Sequence, residues 1–416
     1  MLSVAEAAAR IIADIETLGA ERVALLDALG RVLATPVRSP LTLPAWDNSA
    51  MDGYALRAAD VRDVRPDHPV TLRVLETVAA GAFPSQRVEP GTATRIMTGA
   101  PIPDGADGVV RLEDTDRGTA QVAIHDARDA GHNVRRRGED IALGATVFER
   151  GQPLGAAQIG VLASVGAATV EVYRRPRVAF FGSGDEIVDL DGLPEAVAGR
   201  KILTSNNYTL HAMIREAGGE PMNLGIARDD PAELHDRIAR STGSDLLITS
   251  AGISAGEFDY VRDVLAQLGV EMTVWKVRMR PGAPVGFGWL GERPWIGLPG
   301  NPVSTMVTFE LFVRPMLRRM LGHTRIYRRP VEVTLEEPIT IAATLTHFMR
   351  GIVTVGAGGA MTARLTGPQG SGVLTSMARA NALLIVPEDR PRVEAGESLH
   401  ALLIGEDAQM ATTFAL

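Results

Sequence analysis

The sequence lacks cysteine altogether and holds only two lysines, and both shortages restrict its chemistry. Without cysteine, disulfide bonds, thiolate metal sites and cysteine nucleophiles are excluded. The eight histidines are scattered and form no His-Glu-x-x-His pattern, which argues against a zinc hydrolase. Because nearly all of the 42 basic residues are arginines, Lys201 and Lys276 are candidates for chemistry that needs a compact ammonium group.

The chain also lacks the features of a nucleic-acid or membrane protein. Its 50 acidic residues give a net charge of −8, and no basic stripe is evident, so nucleic-acid binding is not expected. The N-terminus lacks the order of a signal peptide, and the weakly charged stretch 154–170 is interpreted as a buried helix. The 416 residues therefore predict a soluble, cytoplasmic protein, with roughly two to four domains.

Apolar spacing predicts helices over 3–18 and 21–34, the first opened by a capping box of Ser3 and Glu6. Short β-like runs separated by turn residues follow from 44 to 140, and helical patterning returns over 141–172. The β segment is therefore expected to be an insertion into the first domain. The predicted domains are 1–43 plus 141–176 (helical, discontinuous), 44–140 (inserted, mostly β), 177–326 (α/β) and 327–416 (a C-terminal β-barrel or sandwich).

Strands and helices alternate between residues 177 and 320, which predicts a parallel sheet covered by helices on both faces. In such sheets, ligands bind beyond the carboxyl ends of the strands. The loops expected at that edge are 182–186, 227–230, 250–259 and 297–302. Their small residues allow backbone N–H groups to approach an anion, and their carboxylates suit a Mg²⁺–nucleotide or Mg²⁺–pyrophosphate ligand. No Walker motif or dinucleotide fingerprint is present.

Purely structural readings compete with these functional ones. Asp230 fits the N-cap of a helix that begins at Pro231, whereas Asp229 is freer to face a ligand. Asn301 fits either a cap or a ligand contact. The cations at 276, 278 and 280 alternate as if on one face of a strand.

Five segments together resemble the molybdopterin molybdotransferase family, which includes MoeA and the E domain of gephyrin. The similarity covers essentially the whole chain, and the segments occur in the family's order. They are Asp-Asn-Ser-Ala-Met-Asp-Gly-Tyr at 47–54, Met-Thr-Gly-Ala-Pro at 97–101, Arg-Arg-Arg-Gly-Glu-Asp at 135–140, Gly-Asp-Glu at 184–186 and Gly-Leu-Pro-Gly-Asn-Pro-Val-Ser at 297–304.

The resemblance implies an elongated homodimer that inserts molybdate into adenylylated molybdopterin, with Mg²⁺-assisted release of AMP. It places the cleft between the α/β domain of one subunit and the inserted domain of the other. Besides the second copy, a molybdopterin adenylyltransferase and molybdoenzyme acceptors are possible partners. Alternatives are a diverged paralogue that carries molybdopterin or the finished cofactor without efficient transfer, and a tungstate-selective version.

The resemblance also implies roles for individual residues. The expected metal ligands are Glu186, Asp229 and Asp259. The expected catalytic residues are Asp52, Thr98, Arg137, Asp140, Lys276 and Arg280. The expected substrate-binding residues are Gly184, Asp185, Ser250, Gly252, Ser254, Pro299, Gly300, Asn301 and Ser371. The chain departs from the family's pattern at Ala283, where a lysine is usual, and at Ala251, where a glycine is usual.

Overall fold

The computed structural model describes residues 1–252, 260–341, 344–356 and 358–405. Its central element is a six-stranded mixed sheet. In spatial order the strands are Glu220–Ala227, Arg177–Ser183, Leu246–Ser250, Arg293–Leu298, Gly286–Leu290 and Glu271–Trp275. The first four are parallel and the last two antiparallel to their neighbours, so the expected wholly parallel sheet is only partly observed. The sequence did not predict the strand Gly286–Leu290. It forms a tight hairpin with Arg293–Leu298 through Gly291, whose φ of 62° suits such a turn.

Helices cover both faces of this sheet, as predicted. Alternate strand residues point to opposite sides, so Phe180 joins one core and Phe181 the other. The first core holds helices Val4–Ala13, Asn206–Glu216 and the run Pro302–Met320, in which a π-helical turn, Phe309–Val313, joins Pro302–Thr308 to Arg314–Met320. The second core holds helices Pro231–Arg240 and Tyr260–Gln267. The short helix Leu193–Val197 and the strand pair Ile187–Val188 and Ile202–Leu203 lie outside the sheet.

The N-terminal region differs from its prediction. The capping box of Ser3 and Glu6 is confirmed, but the predicted helix over 21–34 is wrong. Ala20–Ala24 is a strand paired with Thr169–Tyr173, and a 3₁₀ turn, Leu25–Ala28, follows it. Leu26 and Leu29, which supported the helical spacing, are 83% and 59% exposed. Here the backbone N–H and C=O groups form their hydrogen bonds with a strand that is distant in sequence, and apolar spacing cannot reveal such pairing.

Residues 141–172 are likewise less helical than predicted. The helix is confined to Ala156–Ser164, while Thr146–Phe148 pairs as a strand with Val37–Arg38. The chain between Val37–Arg38 and Thr146–Phe148 forms a five-stranded sheet. Its strands, in spatial order, are Gly108–Arg111, Gly53–Leu56, Thr92–Ile96, Val70–Val78 and Gln121–Ile124. Three 3₁₀ turns, Ala58–Val61, Leu112–Asp114 and Ala130–His132, accompany this sheet, and Asn48–Ser49 pairs separately with Val134–Arg135.

The C-terminal strands close into a small barrel. Around it run Thr346–Val355, Met361–Leu365, Val331–Leu335, Ser398–Leu403 and Ala382–Val386, the last pairing again with the first. The strand Met279–Arg280 adds to Thr346–Val355, which attaches the α/β region to the barrel. Outside the barrel lie the helix Leu374–Ala378 and the strand pair Ile339–Thr340 and Arg392–Val393. Within the described ranges, no helix has both the length and the apolar character required to cross a membrane.

The same substitution is expected to have opposite effects at two glycines. A Cβ on Gly286 would lie 2.7 Å from Cη2 of the fully buried Trp295, whereas a Cβ on Gly160, in an exposed helical turn, meets nothing within 4 Å. Gly286→Ala should lower the free energy of unfolding by about 1–3 kcal/mol through overpacking. Gly160→Ala should raise it by up to about 1 kcal/mol. Denaturant unfolding of both variants checks this, and a stable Gly286→Ala chain would contradict the packing described here.

Candidate functional site

Three of the predicted loops converge at the carboxyl edge of the central sheet. In register, Gly182 lies beside Ser250, and Ser250 lies beside Leu298, so these three strands end level with one another. Beyond them is a cavity of about 450 Å³. Six of the residues expected at the site line it: Glu186, Ser250, Gly252, Pro299, Gly300 and Asn301.

The wall of this cavity carries polar atoms that form no hydrogen bond to the part of the chain that the structure describes. They are Ser183 Oγ and Asn206 Oδ1, and both are buried. Asn207 Oδ1 is also buried without such a partner, but Asn207 does not line the cavity. Asn206 is held in place because its Nδ2 donates to Ser250 Oγ and to the Gly300 carbonyl, each at 2.8 Å. Buried polar atoms normally have partners, so a polar ligand would satisfy them. Sequence reasoning missed both asparagines, although the Ser-Asn-Asn start of a helix beside the sheet was a visible signal.

The loop after the central strand holds an unusual backbone. Ala251 has a φ of 75° and Gly252 one of 71°. For alanine this left-handed conformation costs roughly 1–2 kcal/mol, and strain of this kind concentrates at functional sites. A Cβ on Gly252 would lie 3.0 Å from Ser183 Oγ, and a Cβ on Gly300 would lie 3.0 Å from that of Ala251. The chain therefore needs these glycines for three loops to share one cavity.

Three carboxylates gather at one end of this edge. The backbone N–H of Asp229 donates to Asp185 Oδ1 at 3.3 Å, and the Glu186 carboxylate folds over Gly184, where a Cβ would lie 2.6 Å from Oε2. Burial raises the pKa of the Asp229 carboxyl, and the negative charges of Asp185 and Glu186 raise it further, although a backbone hydrogen bond from Asp185 opposes them. Lys201 Nζ donates to the Asp185 carbonyl. Repulsion between grouped carboxylates is the condition that a bound cation relieves.

The other expected metal ligand, Asp259, and the expected substrate contact Ser254 lie outside the described residues. Within the described ranges, no group of three histidine, aspartate or glutamate side chains is arranged to hold a metal. Asp230 caps the helix Pro231–Arg240 by accepting from Ala232 N and Glu233 N, as its structural reading predicted. Asn301 occupies the N-cap position before Pro302 and lines the cavity, but its side chain makes no capping hydrogen bond.

Cations lie at the opposite end of the same edge. Trp275 pairs with Gly286, and Gly286 with Gly297, so Lys276 follows a strand that ends level with the cavity. The predicted alternation of cations along one strand face is wrong, because Lys276 has a φ of 62° and interrupts the strand. Arg278 then forms an ion pair with Glu388 at 3.5 Å, and Arg280 is exposed beside the barrel.

Next to Arg280 is a smaller cavity of about 300 Å³, which Arg350 and His347 also line. Arg350 is 1% exposed, and it donates to Ser376 Oγ at 3.0 Å and to the Gly370 carbonyl at 3.0 Å. Sequence reasoning missed Arg350 because a single arginine ahead of a predicted strand carries no distinctive pattern.

The expected substrate contact Ser371 follows the loop that Arg350 holds. Its carbonyl accepts from Val303 N at 3.1 Å, which joins this barrel loop to the start of the helix that borders the larger cavity. The barrel therefore contributes directly to the edge of the site.

The remaining expected residues form a separate group between residues 44 and 140. Asp52 Oδ1 accepts from Thr98 N at 2.7 Å and from Thr98 Oγ1 at 2.8 Å. Asp47, which sequence reasoning did not select, accepts from Arg137 N at 2.7 Å and Arg136 Nη1 at 2.8 Å. These backbone and side-chain hydrogen bonds lower the pKa of both aspartates.

These hydrogen bonds bring together the three motifs of this segment, at 47–54, 97–101 and 135–140. The side chain of Arg137 is exposed, and so is Asp140, whose N–H donates to the Leu43 carbonyl at 3.2 Å. In the part of the chain that the structure describes, no hydrogen bond or ion pair joins this group to the cavity at the sheet edge.

Comparisons with known proteins agree with this architecture. Residues 2–166 match the model of the MoeA N-terminal region (domain I and II), 179–319 a probable molybdopterin binding domain, and 332–404 the MoeA C-terminal region (domain IV). These matches define a protein of molybdenum cofactor biosynthesis. The chain belongs to the MoeA family.

Individual relatives support the same assignment. A Mycobacterium tuberculosis protein named molybdopterin molybdenumtransferase 2 is 40% identical over 91% of this chain and 93% of its own length. A Nostoc protein named molybdopterin molybdenumtransferase is 36% identical over 92% and 88%. A solved Pyrococcus horikoshii structure titled molybdopterin biosynthesis moeA protein has a TM-score of 0.84 and 27% identity, covering 97% of this chain and 100% of that one.

Replacing Asp229 should distinguish its effect on the stability of the fold from its contribution to Mg²⁺ binding. Because the folded pKa of Asp229 is raised, the native state binds this proton more tightly, and stability falls as pH rises through that range. Asp229→Asn should therefore raise the melting temperature at pH 7 in the absence of divalent cations. It should also abolish any Mg²⁺-induced rise in melting temperature. Thermal unfolding with and without Mg²⁺ measures both effects.

The matched control for that experiment is Asp230→Asn, because asparagine can cap the same helix. Its response to Mg²⁺ should equal that of the parent chain. An Asp229→Asn chain that is still stabilised by Mg²⁺ would remove Asp229 from the proposed ligands.

Proposed function

We propose that this chain transfers molybdenum from molybdate to adenylylated molybdopterin and releases AMP. The observation that carries the proposal is the arrangement of the sheet edge. Carboxylates Asp185, Glu186 and Asp229 follow the first two strands, small and polar groups follow the middle strands, and Lys276 follows the last. This order suits an elongated ligand with a pyrophosphate at one end and a bound oxyanion at the other. The names of the relatives support the same reaction.

The pyrophosphate end of the ligand is assigned to the acidic side. Glu186 and Asp229, with Asp259 as a further candidate, would hold Mg²⁺, whose hard oxygen preference matches carboxylates. Burial raises the pKa of Asp229, and the charges of Asp185 and Glu186 raise it further, which supports the proposal that a cation would bind beside these carboxylates. When bound, Mg²⁺ would neutralise charge on the phosphate oxygens.

The residues of the chain itself would bind and orient the adenylylated pterin. Ser183 and Asn206 offer buried polar atoms to its polar groups, and Ser250 fixes Asn206. The backbones of Gly184, Gly252 and Gly300 permit the ligand to approach closely, because a side chain at any of them would occupy contacted space. Pro299 and Asn301 complete the wall of the cavity beside the start of the long helix.

The molybdate end is assigned to the cationic side. Arg280 and the buried Arg350 line the 300 Å³ cavity, and Ser371 lies in the loop that Arg350 anchors. Lys276 stands at this end of the sheet edge, where it would offset the negative charge of the bound oxyanion. Guanidinium groups suit a tetrahedral oxyanion because their N–H donors are fixed in a plane.

The second group, Asp52, Thr98, Arg137 and Asp140, would act from the other subunit of a homodimer. Within one chain, no hydrogen bond or ion pair between the described residues joins this group to the cavity. A second copy of the chain is therefore the proposed source of the facing wall.

The transferase reaction is tested by incubating the purified chain with adenylylated molybdopterin, Mg²⁺ and molybdate. We expect molybdate-dependent AMP release, reduced by about 100-fold or more in Arg280→Ala, because an oxyanion contact is lost at the reacting end. The exposed Arg329→Ala serves as a matched control and should release AMP at the parent rate. Tight pterin binding without AMP release would instead support a carrier, and a preference for tungstate would identify the tungstate-selective version.

The shared cleft is tested by mixing two inactive variants. Asp52→Asn and Lys276→Ala chains should each release little AMP as homodimers. Equal mixing with subunit exchange should restore about a quarter of the parent activity, since half of the dimers are mixed and each holds one intact site. AMP release after mixing measures this, and failure to recover activity despite verified exchange would place both residues in one subunit's site.

A further inference from the structure

Three arginines lie near one glutamate beside a third cavity, of about 700 Å³. The cavity lies farther along the helical run Pro302–Met320 and shares no lining residue with the ligand cavity in the described chain. Arg314, Glu310 and Arg328 line it, and Arg318 lies on the next turn of the helix after Arg314. We call Arg314, Arg318 and Arg328 the arginine cluster. Although the sequence shows no basic stripe, folding concentrates these cations in one place.

The π-helical turn positions the central carboxylate. Glu310 lies in that turn and its side chain is 8% exposed. Arg328 holds it with Nε at 2.6 Å and Nη2 at 3.4 Å, and Arg314 Nη1 lies 3.7 Å away. π-helical turns inside longer helices are frequent at functional sites.

Among the residues that the structure describes, positive charge exceeds negative charge at this place. Arg318 donates to the Arg325 carbonyl at 3.0 and 3.1 Å and contacts His323 Nδ1 at 3.3 Å, and neither partner carries a negative charge at neutral pH. Burial, with the nearby Arg318 and Arg314, lowers the pKa of His323 to about 4, so its ring is neutral at pH 7. Glu216 also lines the cavity, but it is exposed.

The guanidinium groups of the cluster also act on one another. Burial lowers the pKa of Arg314, and Arg328 and Arg318 lower it further, while Glu310 opposes them. Half-buried cations that repel one another are stabilised by an anion that accepts from several of them at once. A tetrahedral dianion meets this requirement because it offers acceptor oxygens in several directions.

We propose that the arginine cluster binds a tetrahedral oxyanion, with phosphate and molybdate as the two sources of that chemistry. The site is separate from the transfer reaction and does not depend on it. Arg314 and Arg328, which line the cavity, would donate to the anion through N–H groups that Glu310 does not occupy, and Arg318 would add positive charge from the next helical turn.

Isothermal titration of the full chain with inorganic phosphate and, separately, with molybdate tests the proposal. We expect saturable binding that Arg314→Gln weakens by about tenfold, because one of three cations is lost. Glu310→Gln should strengthen binding severalfold, since it removes the competing carboxylate. Opposite effects of two neighbouring substitutions cannot both arise from misfolding. The anion that binds more tightly identifies the source.

Two controls complete the experiment. Arg329→Gln removes the same charge from an exposed neighbour and should leave the affinity within about twofold of the parent, because exposed charges are screened. Arg280→Gln should leave phosphate binding at the cluster unchanged, which separates this site from the proposed transfer site. Absence of saturable binding, or equal affinity in the parent and Arg314→Gln chains, would overturn the proposal. The phosphate titration involves no AMP release and is controlled against the proposed transfer site by Arg280→Gln, so its outcome is independent of the proposed function.

Discussion

The close approach of three chain turns at the carboxyl edge of the sheet is the constraint on which the site depends. Because Gly182, Ser250 and Leu298 lie level in adjacent strands, the loops that follow must share one small volume. Only backbones with small side chains fit there, and the left-handed Ala251 and Gly252 show how tightly the chain turns. The long helix starts from this crowded edge at Pro302, and the barrel reaches it through the hydrogen bond from Val303 to Ser371.

Sheet order then separates the charges of the site. The strand that leads to Asp229 lies at one margin of the sheet and the strand that leads to Lys276 at the other, so Lys276 cannot neutralise these carboxylates directly. Neutral groups, including Ser250 and Gly300, occupy the interval between them. A ligand that spans the edge would therefore meet acidic groups at one end and basic groups at the other, which is the order that the proposed function requires.

The sequence was sufficient to predict features that depend on local pattern. Loops after buried strands were identified because small and polar residues follow apolar runs, and Asp230 was recognised as a cap from the proline after it. Features that depend on distant partners were not predictable. The strand Ala20–Ala24 exists because Thr169–Tyr173 pairs with it, and Arg350 matters because barrel closure brings it beside Arg280. The strand ends before Lys276 because the backbone of Lys276 is left-handed, and the alternation of cations in the sequence gives no sign of that conformation.

The hydrogen bonds of Asp47 and Asp52 restrict what the inserted segment can contribute. Each carboxylate already accepts two short hydrogen bonds, and their lowered pKa values keep both groups ionised and poorly basic. Neither is therefore suited to remove a proton during the reaction. Their role is to fix geometry, since Asp52 orients the Thr98 hydroxyl and Asp47 fixes the backbone of Arg137. A transfer that draws on positioned donors and cations, and not on a general base, is consistent with this arrangement.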